Sequence, residues 1–367
     1  MAQGVAEGVF PGGALLVRYR GQIVFREVYG AASVVPEVTP MTHETLFDLA
    51  SLTKPLATAA AVLLLAQEKA LALSDPVQHF IPSFLGDRKD SITLFHLLNH
   101  SAGLPAWRPY YATADSLSEI LSCLHAESLI ARPGTESLYS DLGFILLGEV
   151  IKVVSGEEID CFFARRILGA AGCRTAGFRP LAFAPRGVEV PIPSLAIAST
   201  SRLSDGSVLR GEVDDDNARA MGGVSGHAGL FATVAEVDQL LGLWTDALDG
   251  AGIFDRHLAA QFVSRQHGPG SPPVSTWGLG WDTPSPFASS SGRFFSTESF
   301  GHLGFTGTSI WFDRRTTLGV VLLTHRVHPD RSNQKIKRFR PELHNLIAQE
   351  VVGDDHGKCT TRLETVR

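Results

Sequence analysis

The sequence predicts an α+β fold: an antiparallel sheet built from both chain ends and flanked by helices, with a mostly helical domain inserted between them. Three observations carry this. Gly13 to Tyr29 alternates apolar and polar residues around the turn signal Arg20-Gly21, the pattern of a β-hairpin. A second strand pair, Ser309 to Asp313 and Leu318 to His325, is expected near the other end. Between the two, apolar residues recur at helical spacing.

In chain order, helices are expected over 56–70, 93–100, 116–127, 142–154, 158–168 and 234–248, and 338–352 closes the chain as another. The α/β part is placed at 1–75 and 273–367 and the helical part at 76–272. Gly268 to Gly301 is rich in Gly, Pro and Ser and holds two expected strand pieces, around Trp277 and Phe294. It reads either as a cleft-edge loop or as a surface connection with no role. Residues 353–367 are polar and expected to fray.

With 367 residues, 44% hydrophobic side chains and 36 glycines, the chain can bury one large core or two intimately packed ones. A formal charge of −6 and the lack of a basic run argue against a nucleic-acid partner. Cys123, Cys161, Cys173 and Cys359 have no metal-ligand spacing and read as free thiols of a reducing compartment. Residues 1–8 have neither a basic n-region nor an apolar h-region, and no run of about 18 apolar residues is evident, so the expectation is a cytoplasmic protein without a membrane segment; an exported form with a removed leader is the alternative.

The chemistry concentrates in three places. In Phe47-Asp48-Leu49-Ala50-Ser51-Leu52-Thr53-Lys54-Pro55 a serine and a lysine stand three residues apart at the head of an apolar helix, so one helical face brings the Lys54 ammonium to the Ser51 hydroxyl. Burial against apolar residues is expected to lower the lysine pKa enough for it to take the serine proton. Tyr139-Ser140-Asp141 precedes the apolar run Leu142 to Val154, and Gly301-His302-Leu303-Gly304-Phe305-Thr306-Gly307-Thr308 precedes the late strand pair.

Ser-x-x-Lys, Tyr-x-Asn and Lys-Thr-Gly, in that order, are the signature of the serine β-lactamase and penicillin-binding superfamily. The chain resembles that superfamily, and within it the class C β-lactamase-like branch with its family VIII carboxylesterases and D-amino-acid-specific peptidases. Spacings of about 90 and 160 residues fit the branch. Phe95 to Pro105 and Gly222 to Phe231 look like two further family segments.

The resemblance implies a β-lactamase/transpeptidase-like fold with its cleft at the junction of the two parts, and acyl transfer through an acyl-enzyme on Ser51. Lys54 and Tyr139 would share the serine proton, Tyr139 as a phenolate favoured by neighbouring cations. The backbone N–H groups of Ser51 and Phe305 would form the oxyanion hole, and Gly304 would keep the strand edge clear for substrate.

Two departures shape the expected specificity. Asp141 stands where the penicillin-recognising enzymes carry asparagine, and a carboxylate can hold Lys54 but cannot donate to a substrate carbonyl. His302 replaces the lysine of the third motif and removes a permanent cation that would bind a carboxylate. Asp141, His302 and Gly304 are therefore the candidate substrate-binding residues.

The expected activity is a carboxylesterase or amidase acting on small acyl substrates, with no cofactor and no metal. The alternatives are a D,D-carboxypeptidase, D-aminopeptidase or β-lactamase acting on peptidoglycan fragments or β-lactams, and a non-catalytic muropeptide-binding protein. The partner in each case is a small ester, amide or β-lactam-like molecule; oligomeric state is not legible. No Gly-x-Ser-x-Gly elbow and no His-Glu-x-x-His occurs. Asp214, Asp215 and Asp216 with Asn217 read as a solvated loop rather than a cation site. His96, His100 and His227 read as structural residues at helix ends and turns.

Overall fold

The computed structural model describes residues 1–114, 116–181, 196–268, 271–272 and 274–353; Cys359 and the expected polar tail from 354 on lie outside them. The strands are β1 (Gly12–Tyr19), β2 (Gln22–Ser33), β3 (Thr39–Pro40), β4 (Phe47–Asp48), β5 (Gly177–Phe178), β6 (Leu230–Ala232), β7 (Phe300–Leu303), β8 (Ser309–Asp313) and β9 (Leu318–Thr324).

Six of them form one antiparallel sheet in the order β3-β2-β1-β9-β8-β7, which joins the two ends of the chain. The β1–β2 hairpin turns on Arg20 and Gly21, both at positive φ, as the two-residue loop demands. At the seam Gly13 pairs with Thr324 and Val17 with Val320.

Alternation decides what each face covers. Ala14 and Leu16 of β1 and Val321 and Leu323 of β9 point into the main core with the buried helices. Their neighbours Leu15, Val17, Val320 and Leu322 point the other way, onto Ile336, Leu343 and Ile347 of the closing helix Ile336–Val352. The part of the sheet around β1, β9 and β8 is thus an internal layer, which is why β8 and β9 are buried along their whole length, while most of β2 is left open to solvent.

The middle of the chain is helical as expected: Leu94–Leu98, Leu117–Ala126, Asp141–Ser155, Ile159–Phe163 continuing through Ala164–Leu168, and Val234–Leu248. Two expectations change. The helix placed at 56–70 begins earlier, as one turn over Ala50–Leu52, a widened turn over Lys54–Ala59 and a regular helix over Ala60–Gln67. Pro55 supplies the cause, since it has no N–H to return to the carbonyl of Ser51 and the first turn opens to the wider π spacing. By length and mean composition alone the segment Ala50–Gln67 would suffice to cross a membrane, although Ser51, Lys54 and Thr58 interrupt it, but 83% of it is buried inside the protein as a core helix.

The loop region before β7 also departs from expectation. Trp277 makes only an isolated bridge to Asp282, and no strand forms around Phe294, which lies 43% exposed with nothing to pair it.

Candidate active site

Strand β4 delivers Ser51. It pairs with β6 through Phe47 and Asp48, and the chain then turns sharply at Ala50, whose φ of 48° costs an alanine about 1–2 kcal/mol. Asp48 holds that turn: Oδ1 accepts from Ala50 N (2.8 Å) and Oδ2 from Asp214 N (2.6 Å). Burial and the nearby Asp214 charge push the Asp48 carboxyl up to about 7, against the pull of those two N–H donors.

The third motif is tied to the same strand. Thr306 Oγ1 donates to Asp48 O (2.8 Å) and Thr308 Oγ1 to Leu49 O (3.0 Å), which brings Phe305 beside Ser51 in one cavity. Gly304 is needed here for a reason other than the one expected. A Cβ at 304 would stand 1.9 Å from Thr308 Oγ1 and 2.6 Å from Leu49 O, so the close approach of the two segments, rather than room for substrate, excludes a side chain.

Ser51, Lys54 and Tyr139 meet as the motifs predict. Lys54 Nζ donates to Ser51 Oγ (3.0 Å), and Tyr139 Oη to the same oxygen (2.7 Å). The Lys54 ammonium also donates to His227 O (3.0 Å) and forms an ion pair with Asp141 Oδ1 (2.6 Å). The His227 carbonyl can reach Lys54 because its neighbour Gly226 packs against the Asp141–Ser155 helix, where a Cβ would lie 2.1 Å from Phe144 O.

This arrangement reverses the expected charge states. Burial works to strip Lys54 of its proton, but the adjacent Asp141 carboxylate opposes this and the pKa stands above the ordinary lysine value. Burial, reinforced by Asp141 and opposed by Lys54, pushes the Tyr139 phenol up to about 12. The resting site therefore carries a lysine ammonium and a neutral tyrosine, not a neutral lysine or a phenolate.

Histidines frame the tyrosine. His100 accepts from Ser140 N on Nδ1 (3.1 Å) and packs its ring 4.7 Å from that of Tyr139 and 4.4 Å from Trp277, which aims the phenol at Ser51. His302 is buried in β7 and kept neutral: burial, with the Lys54 charge, brings its pKa down to about 3. His96 caps the Leu94–Leu98 helix through Thr93, a structural role as expected.

The acidic run is where the sequence reading misplaced a segment. Asp214 is 1% exposed rather than solvated, and Asp214, Asp215 and Asp216 line the cavity of about 410 Å³ that holds Ser51 and Tyr139. Arg331 bridges Asp214 Oδ2 (3.1 Å) and Asp216 Oδ2 (2.8 Å). His227 Nε2 lies 2.9 Å from Asp215 Oδ1 and its Nδ1 2.8 Å from Ser225 Oγ. Burial would raise the Asp215 pKa, but His227 outweighs it and keeps the carboxyl below the usual range.

Sequence reasoning overlooked Asp48, Trp277, Asp282 and Arg331 as parts of the site. A carboxylate between Phe47 and Leu49 in an apolar strand was a usable signal for Asp48; nothing local marks the others. Cys123, Cys161 and Cys173 are free thiols.

The Beta-lactamase family model matches residues 1–344. The chain is 30% identical over 352 residues to an Escherichia coli (strain K12) protein named "Putative D-alanyl-D-alanine carboxypeptidase", covering 87% of this chain and 79% of that one. A Salmonella agona protein of the same name is 30% identical over 365 residues, covering 89% and 81%. Among solved structures, EstCE1, described as a hydrolase with promiscuous acyltransferase activity, superposes with a TM-score of 0.72 at 23% identity, covering 93% of this chain and 96% of that one. The octameric penicillin-binding protein homologue from Pyrococcus abyssi gives 0.71 at 21% identity, covering 96% and 75%. With a family match across nearly the whole chain and the fold of its structural neighbours, this protein belongs to the Beta-lactamase family of serine hydrolases.

Proposed function

We propose that the protein hydrolyses small carboxylic esters or amides through an acyl-enzyme on Ser51. The observation that carries this reading is the convergence of Lys54 Nζ and Tyr139 Oη on Ser51 Oγ, at 3.0 and 2.7 Å. Ser51 attacks the substrate carbonyl, and its proton passes to Tyr139 in the form of the site that has lost one proton. Tyr139, a neutral phenol between the two steps, then hands that proton to the leaving group, and the Lys54 ammonium stabilises the phenolate that exists before the first step and is restored by the second. The N–H groups of Ser51 and Phe305, brought to one cavity by the Thr306 and Thr308 ties, would hold the oxyanion. Water repeats the sequence in reverse to release the acid.

The neutral His302 favours an ester or amide without a carboxylate at that point, since the fixed cation of the third motif is gone. A second reading, a D,D-carboxypeptidase, is favoured by the names of the 30% identical relatives. A substrate panel separates the two. Turnover of p-nitrophenyl butyrate at a kcat/KM at least about tenfold above that for release of D-alanine from N-acetylated D-alanyl-D-alanine peptides supports the esterase reading; the opposite ratio establishes the peptidase.

A further inference from the structure

Arg340 is a buried cation without an acid. It stands on the closing helix, 6% exposed, and no carboxylate pairs with it among the described residues; the charge that bears on it is another cation, Arg326. Burial and Arg326 push its pKa down to about 9, so it keeps its charge at neutral pH. Its Nη2 donates to Gly304 O (3.2 Å) and Thr308 O (2.8 Å), and its Nε is buried with no acceptor among the described residues. A charge held in the interior without a counter-charge is costly, and a better-packed apolar side chain would serve the core at least as well.

The backbone does not need this arginine to satisfy its carbonyls. Gly304 O also accepts from Gly307 N (3.1 Å), and Thr308 O from Gly304 N (2.8 Å). What the guanidinium reaches is one peptide group of consequence. The Gly304–Phe305 bond is trans, so the carbonyl of 304 and the N–H of 305 leave the same plane in opposite directions. Phe305 N–H has no acceptor among the described residues, and Phe305 lines both cavities that hold Ser51, of about 410 and 360 Å³. A fixed cation therefore sits at the carbonyl end of the peptide whose N–H is free for the oxyanion. Arg326 cannot take its place, because its Nε donates to Phe305 O (2.9 Å), which belongs to the next peptide.

We propose that Arg340 is a positioning residue of the oxyanion hole: from behind, its guanidinium fixes the plane of the Gly304–Phe305 peptide and polarises it, which strengthens the Phe305 N–H as a donor to the substrate oxygen. This deepens the acyl-enzyme reading and rests on it. As the tetrahedral oxygen takes up negative charge, the cation draws the peptide's electron density toward Gly304 O and leaves the N–H more positive, a cooperative effect that a site shielded from water does not screen away. Arg340 exchanges no proton and forms no bond to the substrate. Its contribution exists only while charge stands on that oxygen, so it lowers the barrier and leaves substrate binding unchanged.

The test uses the full chain and compares the uncharged variants Arg340→Met and Arg340→Gln with Arg340→Lys, which keeps the charge. Two neutral variants are measured so that the comparison does not depend on either one folding. With p-nitrophenyl butyrate, kcat of the neutral variants is expected to fall at least about tenfold while KM moves by less than about twofold. Affinity for phenylboronic acid, whose tetrahedral adduct on Ser51 places an oxygen in the same hole, is expected to fall in parallel with kcat. Arg340→Lys recovers most of both losses. Unchanged kcat and boronate affinity in the neutral variants, or equal losses in these and in Arg340→Lys, overturn the proposal. A loss confined to 3-carboxyphenyl butyrate, with p-nitrophenyl butyrate unaffected, also overturns it and makes Arg340 a ligand for substrate carboxylates. A fluorophosphonate adduct on wild-type Ser51 shows which idea has failed: an adduct together with unchanged kcat in the neutral variants overturns the role of Arg340 alone, and no adduct overturns the acyl-enzyme reading with it.

Discussion

Lys54 Nζ is held by hydrogen bonds to Ser51 Oγ and His227 O and by an ion pair with Asp141, and that setting governs the chemistry of the site. Asp141, 2.6 Å away, makes loss of a proton harder for Lys54 and for Tyr139 alike. On the mechanism proposed above one of those protons must leave before Ser51 attacks, so the rate is expected to rise with pH. In Asp141→Asn the negative charge is gone and both groups release a proton more readily. The rising limb of the kcat/KM profile then moves to lower pH, by about one unit or more. A limb that stays in place would show that Asp141 does not govern the pair. The Ser51, Lys54 and Tyr139 constellation was legible from motif order. Its charge state was not, because it depends on how a carboxylate 87 positions from Lys54 approaches it in space.

At the scale of elements, β4 and its turn act as the mounting for Ser51. Asp48 is the fastener: its two oxygens take the N–H groups of Ala50 and Asp214, and its own carbonyl takes Thr306. Asparagine can accept with only one of the two side-chain atoms, so Asp48→Asn leaves a buried N–H opposed by an NH₂ group. The expected result is a loss of about 1–3 kcal/mol in a denaturant titration, together with slower acylation of Ser51. Unchanged stability would mean that the turn is held by other contacts. Helices with strong periodicity, such as Asp141–Ser155 and Val234–Leu248, were placed within a residue or two by sequence alone. The acidic run was misplaced because its partner Arg331 lies 117 positions from Asp214, beyond the reach of any local pattern. The strand expected around Phe294 had β-favouring residues but no neighbour to pair with.

For the whole molecule, the sheet closes the chain on itself. β1 from the start and β9 from near the end form its central seam, and the alternation along them divides the main core from the layer under the closing helix. The two hairpins were legible because their alternation and turn residues are local; the pairing of one with the other is not a local property. That closure places the third motif against β4 and so assembles one cleft from segments around residues 51, 139, 215 and 302. The account stands on Ser51 as the residue that is acylated. Intact-protein mass spectrometry with peptide mapping, after brief exposure to a fluorophosphonate and to p-nitrophenyl butyrate, tests this most directly. A single adduct of each reagent mapping to Ser51, absent in a folded Ser51→Ala variant, is the predicted result. An adduct on another residue, or undiminished ester turnover by Ser51→Ala, would contradict it.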